Sequence, residues 1–162
     1  MAIRYAKAKG YRVVGIDIDD ETLETAKSSG ADHVYNARTD KEYVSKILDL
    51  TNGGCDAAAV FSAAKVAYEG APKILTIGGN LVCVGLPAQN CEFSILDISL
   101  RKYNLRGAGN SAKPAQLREC AEFTAKHGIT SPQKYFQLDQ IGDMIETLSK
   151  ERTGGQRQVV RF

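Results

Sequence analysis

The sequence lacks the cysteine spacing on which zinc-binding motifs depend. Its four cysteines, Cys55, Cys83, Cys91 and Cys120, include no C-x-x-C pair. A structural zinc site needs ligands about two to four residues apart, because a single turn of the chain must present both thiolates to the ion. The spacing therefore predicts no metal site within this chain.

Long apolar runs and runs of one charge are missing as well. No apolar run approaches the ~20 residues that span a bilayer, and the N-terminus lacks the basic-then-apolar pattern of a signal peptide. The 21 basic and 19 acidic residues give a net charge of +2 and are spread along the chain without a basic stripe. We therefore expect a cytoplasmic protein that binds neither nucleic acid nor a membrane.

A glycine-rich phosphate turn is also missing, although the acid that usually follows one is present. Asp17 closes the apolar run at residues 11–17. In a dinucleotide-binding unit, an acid at the end of the second strand accepts hydrogen bonds from the adenosine ribose, about 20 residues after a G-x-G-x-x-G turn. The sequence before Asp17 contains neither that turn nor a first strand, and residues 1–10 are typical of the later turns of a helix that ends at Gly10.

What the sequence does contain is an alternation of short apolar runs with helical patterns. Near-continuous apolar runs indicate strands covered on both faces, and hence a parallel sheet flanked by helices. The length fits one domain. We expect an α/β fold, a Rossmann-type doubly wound parallel sheet over residues 1–162 that lacks its first strand and glycine-rich turn. The predicted strands are residues 12–17, 33–36, 56–62, 81–85 and 158–162.

Several local features refine this prediction. Asp19, with the two acids after it, suits a helix N-terminus. The pair Gly78-Gly79 is expected to turn the chain, and residues 92–96 suggest a further short strand. Asp139 is expected to cap the N-terminus of a late helix.

Four segments, in order and with matching spacing, point to a known family. They are YRVVGID (11–17), SGAD (29–32), GGNLVCVGLP (78–87) and GQRQVV (155–160). Together they resemble the coenzyme domain of the zinc-dependent medium-chain alcohol dehydrogenases, most of all those of yeasts and other fungi. The resemblance covers essentially the whole chain.

The resemblance implies a set of residues that bind the cofactor NAD. Asp17 would accept hydrogen bonds from the free ribose hydroxyls, and a carboxylate there repels the 2′-phosphate of NADP. Asp17 therefore favours NAD over NADP, but relatives often carry a lysine where this chain has Thr22, a departure that weakens the support for this preference. The remaining implied residues are Ser62 in the adenine or nicotinamide region, Val84, Gly85 and Leu86 at the nicotinamide, Gly107, Ala108 and Asn110 at the carboxamide, and Arg157 at the pyrophosphate.

The resemblance also implies what this chain does not supply. The family holds its catalytic zinc and its proton relay in a separate upstream domain, so we expect a fragment with no catalytic residue, weak NAD affinity and no activity alone. The parent enzyme would act on a small alcohol or aldehyde and form a homo-oligomer, in which the segment matching residues 92–96 pairs with its copy. Two alternatives remain, a zinc-free reductase of the quinone-reductase kind and a non-catalytic α/β binding module.

Overall fold

The computed structural model describes residues 1–109, 113–150 and 153–162. None of the helices in these ranges is long and apolar enough to cross a membrane. In chain order, the elements are α1 (Ala2–Ala8), β1 (Val14–Asp17), α2 (Asp20–Ser28), β2 (His33–Asn36), α3 (Tyr43–Thr51), β3 (Cys55–Val60), α4 (Lys65–Gly70), a 3-10 helix (Ala71–Ile74), β4 (Leu75–Cys83), α5 (Ile95–Ser99), β5 (Tyr103–Gly107), α6 (Pro114–Lys126), β6 (Gln133–Gln137), a 3-10 helix (Leu138–Gln140), α7 (Ile141–Ser149) and β7 (Arg157–Arg161).

These elements form two compact units. Unit 1 consists of the described residues of 1–41 and 113–162, and unit 2 of those of 42–112. In unit 1, β1 pairs with β2 and β6 pairs with β7. In unit 2 the sheet has the order β3-β4-β5. All of these strand pairs are parallel, which confirms the predicted α/β class with parallel sheets. The assignment of residues 1–162 to one domain stays a prediction.

In unit 1, the start of α2 follows directly from its sequence. The side chain of Asp19 accepts a hydrogen bond from the Thr22 amide at 2.8 Å and so satisfies one of the free amides of the first turn. Asp20 and Glu21 lie in that turn and Lys27 in the last one, as the helix dipole favours. The predicted helix N-terminus at Asp19 is confirmed.

In unit 2, the core lies between the sheet and the segment containing α4. Leu81 of β4 is completely buried, and Tyr68 of α4 is 2% exposed. Val60 of β3, Ala71 and Tyr103 of β5 complete the cluster. One side chain from each strand therefore meets the helix that connects two of them, as expected for a parallel sheet covered by its crossover segments.

The prediction of a turn at Gly78-Gly79 is wrong, because β4 continues through both glycines. The register against β3 jumps here, since Cys55 pairs with Leu75 whereas Ala57 pairs with Asn80. Gly78 has φ +80°, and a Cβ on Gly79 would lie 2.9 Å from the Thr76 carbonyl oxygen. The two glycines thus form an irregularity within the strand, of the kind that needs residues without a side chain.

The predicted strand at residues 92–96 is also wrong. Its last two residues belong to α5, and the Ser94 side chain accepts a hydrogen bond from the Asp97 amide at 3.1 Å. Serine followed three residues later by an acid is an N-cap pattern, which here outweighs the β-branched and aromatic residues of the segment.

Asp139 does not cap a helix either. It lies inside the 3-10 helix Leu138–Gln140, which precedes α7. The Gln137 amide instead donates to Gln140 Oε1 at 2.9 Å. The first turn is therefore closed by a glutamine side chain three residues further along the chain.

The unit 2 core gives a matched pair of variants on one strand. Leu81→Ala is expected to lower the free energy of unfolding by about 3 kcal/mol, because it removes a fully buried side chain and leaves a cavity. Ile77→Ala, at a residue of β4 that is 86% exposed, is expected to cost less than about 1 kcal/mol. Urea unfolding followed by circular dichroism measures both, and equal losses would contradict the core described above.

Candidate functional site

Asp17 is the last residue of β1, and one oxygen of its carboxylate is bonded to the chain. Its Oδ1 accepts hydrogen bonds from the amides of Ile18 at 2.7 Å and Asp19 at 3.1 Å. These bonds hold the carboxylate against the backbone of the loop that leads into α2. Among the described residues no donor contacts Oδ2, so this oxygen is an acceptor that a ligand hydroxyl can use.

Thr22, which stands where relatives often carry a lysine, is engaged in capping α2. Its amide and its hydroxyl each donate to Asp19 Oδ2 at 2.8 Å. The amide bond and then the hydroxyl bond lower the pKa of Asp19, because both stabilise the ionised carboxylate. The Thr22 hydroxyl is therefore bonded to Asp19, in the loop that follows Asp17. The preference for NAD over NADP stays a prediction.

Arg157 is the first residue of β7 and is exposed. Its amide donates to the Pro132 carbonyl at 2.8 Å, and its side chain lines an open cleft of about 470 Å³ in unit 1. The preceding segment packs on α2, where the Thr25 hydroxyl donates to the Gly154 carbonyl at 2.6 Å. Arg157 thus follows a segment anchored to the helix that begins beside Asp17. Its pyrophosphate role stays a prediction.

In unit 2, three chain segments leave the sheet side by side. Val60, Cys83 and Gly107 are aligned across β3, β4 and β5. Beyond the strands, the amides of Val84 and Gly85 both donate to the Val60 carbonyl, at 3.1 and 2.9 Å. The Ala108 amide donates to the Cys83 carbonyl at 2.9 Å.

The structure thereby gathers most of the predicted nicotinamide residues at one edge of this sheet. Parallel strands end at a common edge, and this edge is where α/β proteins bind ligands. Asn110 lies outside the described residues. The gathered residues are Ser62, Val84, Gly85, Leu86, Gly107 and Ala108.

Two glycines of this edge have different surroundings. A Cβ on Gly85 would lie 2.2 Å from the Ser62 carbonyl oxygen, so the turn after β4 is packed directly on the loop after β3. At Gly107 nothing lies within 4 Å of the position of a Cβ. Leu86 is 88% exposed. Open space beside small residues and an exposed apolar side chain suits the approach of a flat ring, which fits a nicotinamide.

One residue of this edge was not predicted from the sequence. Tyr68 is buried, and its hydroxyl donates to the Gly85 carbonyl at 2.5 Å, with the Val60 carbonyl 3.4 Å away. Burial raises the pKa of this phenol. No sequence pattern indicates that the hydroxyl of Tyr68 reaches a turn seventeen residues away.

Metal-binding side chains do not converge in the structure as described. Over residues 1–109, 113–150 and 153–162, no group of three or more His, Cys, Asp and Glu side chains is placed to hold a metal ion. The donor set present there does not fit a catalytic zinc, which needs three protein ligands.

Known proteins match this chain along most of its length. Residues 1–126 match the family model described as zinc-binding dehydrogenase. Alcohol dehydrogenases from Geobacillus stearothermophilus and Moraxella sp. (strain TAE123) are 32% and 33% identical over 155 and 157 residues. Each alignment covers 96% of this chain, which spans 45% of the length of either relative.

Solved structures give the same result for the fold. The crystal structure of the alcohol dehydrogenase from Aeropyrum pernix aligns with a TM-score of 0.82 at 25% identity. The alignment covers 96% of this chain and 45% of that one. A zinc-dependent alcohol dehydrogenase from a streptococcus has a TM-score of 0.81 at 24% identity, which shows the fold alone.

The two glycines of the unit 2 edge provide a direct test of its packing. Gly85→Ala is expected to lower the free energy of unfolding by about 2 kcal/mol, because the added methyl group meets the backbone of Ser62. Gly107→Ala, which enters open space, is expected to change it by less than about 0.5 kcal/mol. Urea unfolding of both variants provides the measurement. A Gly85→Ala variant as stable as Gly107→Ala would show that the turn does not pack on Ser62.

Proposed function

The chain belongs to the zinc-binding dehydrogenase family, and we propose that it is the coenzyme-binding part of an NAD-dependent alcohol dehydrogenase. The proposed reaction is hydride transfer between an alcohol or aldehyde and NAD. The two named relatives are alcohol dehydrogenases, and this chain spans 45% of each. The activity of the whole enzyme is therefore part of the proposal.

The observation that carries the proposal is that most of the predicted cofactor residues lie at or directly after strand ends. Asp17 is the last residue of β1, Gly107 is the last residue of β5, and Val84 directly follows β4. Ligands of open parallel α/β sheets bind outside the carboxyl ends of the strands. Arg157 is the exception, because it lies at the amino end of β7 and not at a carboxyl end. It follows the segment that contains Gly154, which is bonded to Thr25 of α2.

The proposed contacts to NAD are of two kinds. Asp17 Oδ2 would accept a hydrogen bond from an adenosine ribose hydroxyl, and the Arg157 guanidinium would bind a phosphate oxygen. The turn Val84-Gly85-Leu86 and the Gly107-Ala108 segment would contact the nicotinamide. NAD, when bound, supplies the carbon that accepts or donates the hydride. We assign no catalytic residue to this chain.

The other properties of the parent enzyme are part of the same proposal. Zinc would be held by residues outside the described part of this chain, and the substrate would be a small alcohol or aldehyde. We propose a cytoplasmic homo-oligomer, for which the exposed apolar side chains Ile95, Leu96 and Leu100, all more than 60% exposed, give some support. The greater likeness to fungal enzymes stays a prediction.

The role of Asp17 predicts a selective effect on cofactor affinity. Asp17→Asn is expected to weaken NADH binding about tenfold, because a hydrogen bond to a charged acceptor contributes about 1.5 kcal/mol. The variant keeps an oxygen for the Ile18 and Asp19 amides, so the loop stays in place. NMR titration of the isotopically labelled chain measures the affinity. The same variant is expected to bind NADPH no more weakly than the wild type does, because a repulsive charge is removed.

Glu24→Gln serves as the control for Asp17→Asn, because it removes one negative charge from an exposed position of α2. It is expected to leave both affinities unchanged. A similar loss of NADH affinity in the two variants would indicate a general charge effect and would contradict the ribose role of Asp17.

We further predict that the purified 162-residue chain does not oxidise alcohols, even with added zinc and NAD. Its described residues offer no set of ligands for the ion that would polarise the alcohol oxygen. The assay follows NADH absorbance with a series of small primary and secondary alcohols. The full-length alcohol dehydrogenase of Geobacillus stearothermophilus serves as the positive control, and steady NADH formation by the 162-residue chain would refute the prediction.

A further inference from the structure

Tyr68 connects the core of unit 2 to the turn after β4. Its ring is packed in the core cluster with Leu81 and Tyr103, and it is 2% exposed. Its hydroxyl donates to the Gly85 carbonyl at 2.5 Å. A buried hydroxyl needs a partner, and here that partner is the backbone of the turn after β4 rather than a neighbouring side chain.

Two sets of hydrogen bonds fix the two peptide units of this turn. The Gly85 amide donates to the Val60 carbonyl at 2.9 Å, and the Gly85 carbonyl accepts from Tyr68. Both peptide units are trans. In a planar trans peptide the carbonyl and the amide of one unit point in opposite directions. The Val84 carbonyl therefore points away from Val60, and the Leu86 amide points away from the Tyr68 hydroxyl.

The turn therefore has one acceptor and one donor that the hydrogen bonds to Val60 and Tyr68 do not use. The acceptor is the Val84 carbonyl, to which no described residue donates in the hydrogen bonds of the turn. The donor is the Leu86 amide, in a residue that is 88% exposed. A primary carboxamide carries both a donor and an acceptor and so matches such a pair.

We infer that Tyr68 is a positioning residue for nicotinamide binding, whose hydroxyl holds the Gly85 carbonyl and so orients the Leu86 amide toward a carboxamide, beside the Val84 carbonyl that the Gly85–Val60 bond orients. The inference rests on the proposed function for the identity of the ligand. The orientation of the turn by Tyr68 is independent of it. Tyr68 touches neither the cofactor nor the reacting atoms in this account.

The test is Tyr68→Phe, which keeps the ring in the core and removes only the hydroxyl. NADH and ADP-ribose are titrated separately into the isotopically labelled 162-residue chain and followed by NMR. ADP-ribose carries the adenosine and the pyrophosphate but no nicotinamide. We expect the variant to bind NADH about fivefold more weakly and ADP-ribose with unchanged affinity, because a single lost hydrogen bond loosens the turn alone.

A second readout needs no ligand. Hydrogen exchange of the Gly85 amide is expected to be at least about fivefold faster in Tyr68→Phe, because the peptide unit that follows this amide has lost its anchor. Exchange of the Ala108 amide, which is bonded to Cys83, is expected to be unchanged. Tyr103→Phe is the matched control, because Tyr103 lies in the same core and its hydroxyl faces the Ser94 backbone instead of the turn.

The outcomes separate this inference from the proposed function. If Tyr68→Phe weakens NADH and ADP-ribose equally, or shows the Gly85 exchange rate of Tyr103→Phe, then Tyr68 is only a core residue and the inference is wrong. If the wild-type chain binds neither ligand, the proposed function fails, and the exchange rates alone decide whether Tyr68 orients the turn.

Discussion

The carbonyl oxygen of Val60 accepts hydrogen bonds from two successive amides, those of Val84 and Gly85. A strand that simply continued would alternate its amides between its two neighbours, so this shared acceptor bends the chain at the end of β4. The bend brings Gly85 against the Ser62 backbone and within reach of the Tyr68 hydroxyl. The geometry of the unit 2 edge follows from this one acceptor and from the absence of a side chain at Gly85.

The arrangement in unit 1 depends on a similar sharing of hydrogen bonds around α2. The Asp17 carboxylate accepts hydrogen bonds from the amides of Ile18 and Asp19. The Asp19 carboxylate accepts hydrogen bonds from the amide and the hydroxyl of Thr22. The two acids bind different donors, and Asp17 Oδ2 receives none from the described residues. A loop that fixes its acid in this way would lose little conformational entropy on binding the proposed ribose.

Sequence patterns predicted some elements well and missed others for identifiable reasons. The strand at residues 33–36 and the helix start at Asp19 are confirmed, because each depends on neighbouring residues alone. The strands β5 and β6 were not predicted. Each buries a single residue, Tyr103 or Phe136, among exposed residues that are mostly polar, so neither gives an apolar run. For residues 92–96, the cap formed by Ser94 determined a helix where composition indicated a strand.

The parallel α/β class, the family and the position of Asp17 at a strand end could all be predicted from the amino-acid sequence. These depend on apolar runs, local spacing and segment order, which are properties of nearby residues. The tertiary structure alone decided which backbone groups meet after the strands end. The register between β3, β4 and β5 brings Gly85 next to the Ser62 backbone, where its carbonyl accepts a hydrogen bond from the Tyr68 hydroxyl. Contacts of this kind join residues distant in the chain, and their geometry is fixed only when the sheet and its covering helix pack together.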